Sequence, residues 1–520
     1  MRPAWVRIAP QLAWGALGAW LLWSGLVHVP GPHDNDWPLL MWLVKHASVS
    51  DPSSLAIGHY GPLQLLLAWW LYPVFGGTLA AAKVLSTLGV LGSVAALYLM
   101  TRRDHGEMPA LMAATAFGLS APALLTGQSE FADALACGSF LVGLCLWWRG
   151  EERRGLVAGL CLGAAGLMRT HFVIFSIGAA LLAALLGVLL PSAGGSRREQ
   201  GKSGAWLLCG ALLGNLPGFL LNLRVHGQLG SAVADTFLGQ VLYGVDDYDF
   251  LETYAAHPLG QILRDHPEDI LRLMSARARE NVELWLVPLV TLGIALWKLR
   301  RWPAAIVRHV LLFSLLGLAY FGLFVSLAWW VSPRLAFPIT SFNYWLIAAV
   351  SLQLGWGAFR YSRGLCSAAF ALALAWELSS SQRQLQARWG ESSAWWDAST
   401  ELTQNLRQQG MTQARQAFVF DWNRFVVDDP ELQPFYNFGF WNLLLPEFRA
   451  ERPIPTPYLG DLRRLAEFLK DHGVRFFVLP QDRRLLRRFP ALARLAEGRA
   501  ELPGFRRGSP LARDVWFLYE

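Results

Sequence analysis

Long apolar blocks separated by short polar stretches run from near residue 10 to about Leu378, and beyond that point the pattern breaks up. A helix needs about 20 apolar residues to cross the hydrocarbon core of a bilayer. By that measure eleven blocks qualify, near 10–29, 79–100, 108–126, 131–148, 155–168, 172–190, 205–223, 283–297, 305–329, 335–355 and 364–379. A further apolar stretch, "GPLQLLLAWWLYPVFGG" (61–77), is bracketed by Pro62 and Pro73 inside the first large loop. From 380 onward helical and strand signals alternate: "TELTQNLRQQG" precedes "AFVFDW", "GDLRRLAEFLKDHG" precedes "VRFFVLP", and the chain closes on "DVWFLYE". Helix–Gly–strand units of this kind favour a small α/β sheet. The predicted fold class is therefore an α-helical polytopic membrane region, residues 1–379, followed by an α/β domain, residues 380–520.

Charge supplies the orientation. With the N-terminus in the cytoplasm, the dense basic loops all fall on one side: Arg102 and Arg103; Arg149, Arg153 and Arg154; Arg197, Arg198 and Lys202; Lys298, Arg300 and Arg301; Arg360 and Arg363. This is the positive-inside pattern. It holds if 61–77 is an in-plane or re-entrant segment and not a twelfth span. The C-terminal domain is then extracytoplasmic, as are a first outer loop at 30–78 and a long one at 224–282. Within the long loop, "HPEDILRLMSARARENVELW" has Ile270, Leu273 and Met274 at helical spacing, which suits a helix lying on the membrane surface. The net charge of +7 sits mainly in the short loops, so orientation explains it and nucleic acid does not. The first block lacks a small-residue cleavage site and reads as a retained helix. Five cysteines, all inside apolar blocks and none in CxxC spacing, offer neither a disulfide framework nor a zinc site.

The carboxylates gather on the outer side. "HDNDW" places Asp34 and Asp36 just after the first block. A carboxylate there could take a proton from an attacking hydroxyl, although Asp36 before "WPLLMW" also suits a helix N-cap. "GQSEFADAL" puts Glu130 and Asp133 on one helix face, where they could also serve as helix-start acids. "GLMRTHFVIF" carries Arg169 and His171 inside a long apolar stretch, and "SPRLAFP" carries Arg334. A guanidinium suits a phosphate or diphosphate, whereas the alternative for each arginine is an interfacial anchor. "IGHYGPLQ" adds His59 and Tyr60. Ionisable groups at membrane depth are costly, and five distant segments bring theirs to one face.

Taken in order, these motifs resemble the GT-C superfamily of polytopic glycosyltransferases. The likeness is to the bacterial branch related to protein O-mannosyltransferases and to the lipid A aminoarabinose transferase. "HDNDW" is similar to the family's acidic motif after the first helix, "HYGPLQLLLAWWLYPVFG" to its "H-x-P-L…FG" segment and "GQSEFADAL" to its second acidic site. "GLVAGLCLGAAGLMRTHFVIF" resembles its glycine-rich helix ending in a basic turn, and "SPRLAFP" its late "R-Y-x-x-P" motif. Asn35 separates the two acids where the family often has them adjacent, and Leu335 stands where a tyrosine is usual.

The resemblance implies an enzyme of a bacterial inner membrane that moves a sugar from a polyprenyl-phosphate donor to a lipid, glycan or protein acceptor on the extracytoplasmic face. It implies Asp34 or Asp36 as catalytic base, with inversion if there is one displacement. Substrate binding is expected from His59, Tyr60, Glu130, Asp133, Arg169, His171 and Arg334. Glu130 and Asp133 would orient the acceptor or, with Asp36, hold a divalent cation, magnesium or manganese. Two other classes stay open: a transporter or flippase of a lipid-linked molecule, and a non-catalytic envelope-assembly protein with the same fold.

Overall fold

A computed structural model describes residues 15–24, 44, 50, 55, 61–75, 77–129, 131–148, 152–191, 196–226, 264–327, 332–354, 363–412, 416–419, 461–471, 473–480, 490–508 and 514–519. Each of the eleven apolar blocks overlaps a helix. The helices are α1 (15–24), α2 (Pro62–Phe75), α3 (Thr78–His105), α4 (Glu107–Gly118), α5 (Ala121–Gly127), α6 (Asp133–Trp147) and α7 (Glu152–Met168). They continue with α8 (His171–Leu189), α9 (Arg197–His226), α10 (Pro267–Glu280), α11 (Val282–Trp297), α12 (Ala304–Tyr320), α13 (Pro333–Leu354) and α14 (Arg363–Gln408). Among the described residues four helices are long and apolar enough to cross a membrane, or six if each of two bent pairs counts as one span.

Lipid-facing surface is visible directly. Ile174, Leu181, Leu185 and Val188 on α8 and Leu212, Leu213, Leu216, Leu220 and Leu223 on α9 are all exposed, forming stripes that no water-soluble surface would carry. Helix α2, at about 21 Å, is too short to cross a core of about 30 Å. Pro73 does not close it, because the helix runs on to Phe75. The expected surface helix is α10, set at 89° to the apolar α11.

Between apolar helices in lipid there is little hydrophobic force, so small residues and close backbone contact hold the bundle together. Gly159 and Gly163 on α7 face Gly210 and Gly214 on α9, and a Cβ added at Gly163 would lie 2.5 Å from the Gly214 Cα. Gly89 on α3 and Gly138 on α6 are pressed together likewise, with 2.5 Å between a Cβ at Gly138 and the Gly89 carbonyl oxygen. Helices α6 and α7 are short apolar helices, which leaves their junction residues inside the bundle.

The bundle end that carries Arg102 and Arg103 is stapled by a buried polar network. Asp104 accepts a hydrogen bond from Trp148 Nε1 at 3.0 Å and meets His309 Nδ1 at 2.8 Å. Arg308 Nη2 lies 3.2 Å from His309 Nε2, and Arg308 Nη1 donates to Gln200 Oε1 at 2.8 Å. A guanidinium only donates, so Nε2 is the acceptor and Nδ1 carries the hydrogen that faces Asp104. The network joins the ends of α3, α6, α9 and α12.

Helix α14 does not stop near residue 379. It runs unbroken through the expected domain boundary and ends at Gln408, before Gly410 in the left-handed region at φ 93°. A four-stranded sheet follows, with β1 (Ala417–Val419), β2 (Phe476–Pro480), β3 (Phe505–Arg507) and β4 (Asp514–Tyr519) in the order β1-β2-β4-β3. The β1–β2 pair is parallel and the other two are antiparallel. Side-chain alternation divides its faces. Phe477, Leu479 and Phe517 pack against α15 (Leu462–Asp471) and α16 (Pro490–Ala496), while Phe476, Val478 and Trp516 pack against Leu402 and Leu406 of α14.

One glycine tests this packing. At Gly159 an added Cβ falls 2.1 Å from the Leu207 carbonyl oxygen, whereas at Gly178 it meets nothing within 4 Å. Gly159→Ala is expected to destabilise by about 1–3 kcal/mol and Gly178→Ala to be neutral or slightly stabilising, read as thermal unfolding midpoints of the purified protein.

Candidate functional site

At the opposite end of the bundle, close contact between α3 and α6 brings down the turn that precedes α6. Ser86 on α3 donates to the Phe131 carbonyl at 2.6 Å, and Thr87 donates to the Gly127 carbonyl at 3.1 Å. This fixes Phe131 and sets Asp133 in the first turn of α6, where the helix dipole favours a negative charge. Asp133 is 1% exposed.

Arg169, in the two-residue junction between α7 and α8, donates from Nη2 to Asp133 Oδ2 at 2.8 Å and is itself buried. The other carboxylate oxygen, Oδ1, is buried without a hydrogen-bond partner among the described residues. Arg334 enters from the first turn of α13, directly after Pro333. Its Cζ lies 4.1 Å from the centre of the Phe131 ring, and the Arg169 Cζ lies 5.6 Å from the same ring. Phe131 thus serves as an aromatic partner for two guanidiniums.

His171 opens α8 and places Nε2 3.2 Å from the Tyr320 hydroxyl, with Phe172 and Phe324 around it. Tyr320 ends α12, and the helix then widens into a π-helical turn at Phe321–Val325. Such turns are uncommon and concentrate at functional sites. Gly61 completes the ring of elements. Its N–H donates to the Met168 carbonyl at 3.1 Å, and a Cβ there would fall 2.0 Å from the Leu167 carbonyl oxygen. Only glycine lets the chain before α2 approach the Arg169 junction this closely.

Of the expected residues, Asp133, Arg169, His171 and Arg334 come together at one end of the bundle. Asp34, Asp36, His59, Tyr60 and Glu130 lie outside the described residues. Three participants were not foreseen. Lys83 is 2% exposed on the α3 face that also presents Ser86 and Thr87, one turn nearer the end of the bundle. A lysine inside the apolar run "TLAAAKVLSTLGVLG" was a visible signal of the same kind as Arg169. Phe131 and Tyr320, by contrast, look like any other aromatic residue in an apolar block.

Of the cation site expected at Asp36, Glu130 and Asp133, Asp36 and Glu130 lie outside the described residues, which by themselves hold no group of three metal-ligating side chains. Asp133 is the one described member. Arg169 pairs with one of its oxygens, and Arg334 lies over the neighbouring Phe131 ring.

No protein-family model matches the chain, and no curated protein matches it. Solved structures do. ArnT from Cupriavidus metallidurans in the apo state aligns with a TM-score of 0.55 at 14% identity, over 98% of this chain and 97% of that one. The same protein bound to undecaprenyl phosphate gives 0.54 at 12% identity, over 99% and 98%. The oligosaccharyltransferase of Archaeoglobus fulgidus in complex with zinc and sulfate gives 0.50 at 16% identity, over 97% of this chain and 72% of that one. The chain therefore has the fold of the polytopic GT-C glycosyltransferases, a multi-pass membrane architecture.

Removing one member of a buried ion pair strands the other. Asp133→Ala is expected to cost about 3–5 kcal/mol, and Asp133→Leu combined with Arg169→Met to cost less than the two single changes added. Thermal unfolding of the four proteins checks this.

Proposed function

We propose that the chain is a membrane glycosyltransferase that moves a sugar from a polyprenyl-phosphate donor to an acceptor hydroxyl by a single inverting displacement. One observation carries the proposal: a buried carboxylate and two cations, Arg169 paired with it and Arg334 stacked on the neighbouring Phe131 ring, gather at one end of a bundle whose fold is that of a protein solved with undecaprenyl phosphate bound. Likeness to transferases over the whole chain favours an enzyme over a transporter or a scaffold.

In this reading Asp34 or Asp36 accepts the acceptor's proton as its oxygen forms a bond to the anomeric carbon. The bond from that carbon to the phosphate oxygen breaks, and the electron pair leaves with the phosphate. Arg169, Arg334 and Lys83 stabilise the growing negative charge in a site shielded from water, where fixed charges act most strongly. Ion pairing to Asp133 holds Arg169 in place and leaves Asp133 Oδ1 without a partner among the described residues, free to meet a substrate hydroxyl. His59, Tyr60 and Glu130 contribute to substrate binding, as does His171, held by Tyr320. No step requires a metal, since arginine and lysine supply the compensating charge.

The basic residues Arg102, Arg103, Arg197, Arg198, Arg300 and Arg301 all belong to the far end of the bundle, which by the positive-inside rule supports a site on the extracytoplasmic face, in this reading of a bacterial inner membrane. The donor is then consumed there, and the sheet domain lies on the same side.

Asp34→Ala and Asp36→Ala, made separately and assayed in membranes with a labelled lipid-linked sugar, test the assignment. One of them is expected to lose about 10²-fold or more in turnover, and wild-type turnover in both overturns it. EDTA is expected to leave turnover unchanged; loss restored by manganese would return a cation to Asp36, Glu130 and Asp133.

A further inference from the structure

A hydrogen-bonded relay crosses three distant parts of the chain beside the site. Gln128 lies in the turn between α5 and α6, five residues before Asp133, and is fully buried. Trp389 on α14 donates from Nε1 to Gln128 Oε1 at 2.9 Å. Gln128 Nε2 donates in turn to Ser24 Oγ at 2.5 Å, and the buried Ser24 hydroxyl turns to the Leu21 carbonyl at 3.3 Å. The direction is forced. An indole N–H can only donate, so the Gln128 oxygen must face Trp389 and its amino group must face Ser24. A glutamine held at both ends cannot rotate, and neither can the turn that carries it.

The three elements so joined matter to the site. Ser24 is in α1, ten positions before Asp34, and Gln128 leads into the segment of Glu130, Phe131 and Asp133. Trp389 belongs to the one continuous helix whose far part, Leu402 and Leu406, is built into the core of the sheet domain. One turn before Trp389, Leu385 is buried in the core of the transmembrane bundle. From Trp389 to Leu402 the helix rises about 20 Å. The sheet domain is therefore anchored on the turn that precedes Asp133.

We propose that Gln128 is a positioning residue: through Trp389 and Ser24 it sets the acidic segment at 130–133 relative to α1 and to the helix that carries the sheet domain, and so tunes substrate binding. The inference rests on the transferase reading for its kinetic consequence and on geometry alone for its structural one. Arg169 and Arg334 stand on other elements but lean on Asp133 and Phe131 of this segment, so the relay bears on donor as well as acceptor binding.

Trp389→Phe removes the N–H and keeps the bulk. In the full-length protein in lipid nanodiscs, amide exchange across 128–134 is expected to rise about fivefold while 171–189 stays unchanged. Donor and acceptor KM rise by a similar factor, with the thermal midpoint held. In a Gln128→Leu background, which deletes both polar atoms of the relay, Trp389→Phe is expected to add nothing. Unchanged exchange at 128–134, or effects that simply add, overturns the inference. Should Trp389→Phe fail to fold, Ser24→Ala removes the other partner and is judged by the same exchange. Absence of transfer by the wild type would defeat the transferase reading and leave the exchange experiment to decide this one.

Discussion

The buried pair between Asp133 and Arg169 is the constraint on which the arrangement of the site depends. Removing a carboxylate and a guanidinium from water costs several kcal/mol each, so neither is stable in an apolar bundle without the other. Their 2.8 Å contact obliges the start of α6 and the α7–α8 junction to meet. The close approach of Gly89 and Gly138 makes the meeting sterically feasible, and Ser86 holds the Phe131 backbone so that its ring lies beneath two arginines. Change any of these and the positive charge at this end loses its fixed geometry.

The two ends of the bundle use similar residues to different effect. At the far end Asp104 receives both Trp148 and His309, with His309 in turn held by Arg308, and the result ties four helix ends together. Near the other end Asp133 takes one donor and retains an oxygen without a partner among the described residues, while aromatic rings and a π-helical turn surround its neighbours. A carboxylate with unused capacity, next to concentrated positive charge, is the arrangement expected where a ligand supplies the missing contacts. The two guanidiniums on one aromatic ring and the likeness of fold separate the candidate site from the structural cluster.

The helical blocks were legible because apolar length is a strong signal, and Asp133, Arg169, His171 and Arg334 stood out because charge at membrane depth needs a reason. Lys83 obeyed the same logic and was passed over within a long run. What stayed hidden depends on pairing across the chain. Nothing in the sequence joins Phe131 to Arg334, Tyr320 to His171, or Trp389 to Gln128, since an aromatic or amide in a helix has no marked partner until the helices pack. The continuity of α14 was obscured for a different reason: its composition changes at the membrane surface although its backbone does not. The strand β3, at three residues, is too short to register by alternation.

The account stands on the claim that this cluster of cations holds the phosphate of a polyprenyl carrier. Binding of a polyprenyl phosphate to the purified protein, compared between wild type and Arg334→Gln by titration calorimetry, measures it most directly. Saturable binding that weakens by about tenfold in the variant, corresponding to one lost charge-assisted contact, is the predicted result. Equal affinity in the two proteins, or no binding to either, would contradict it.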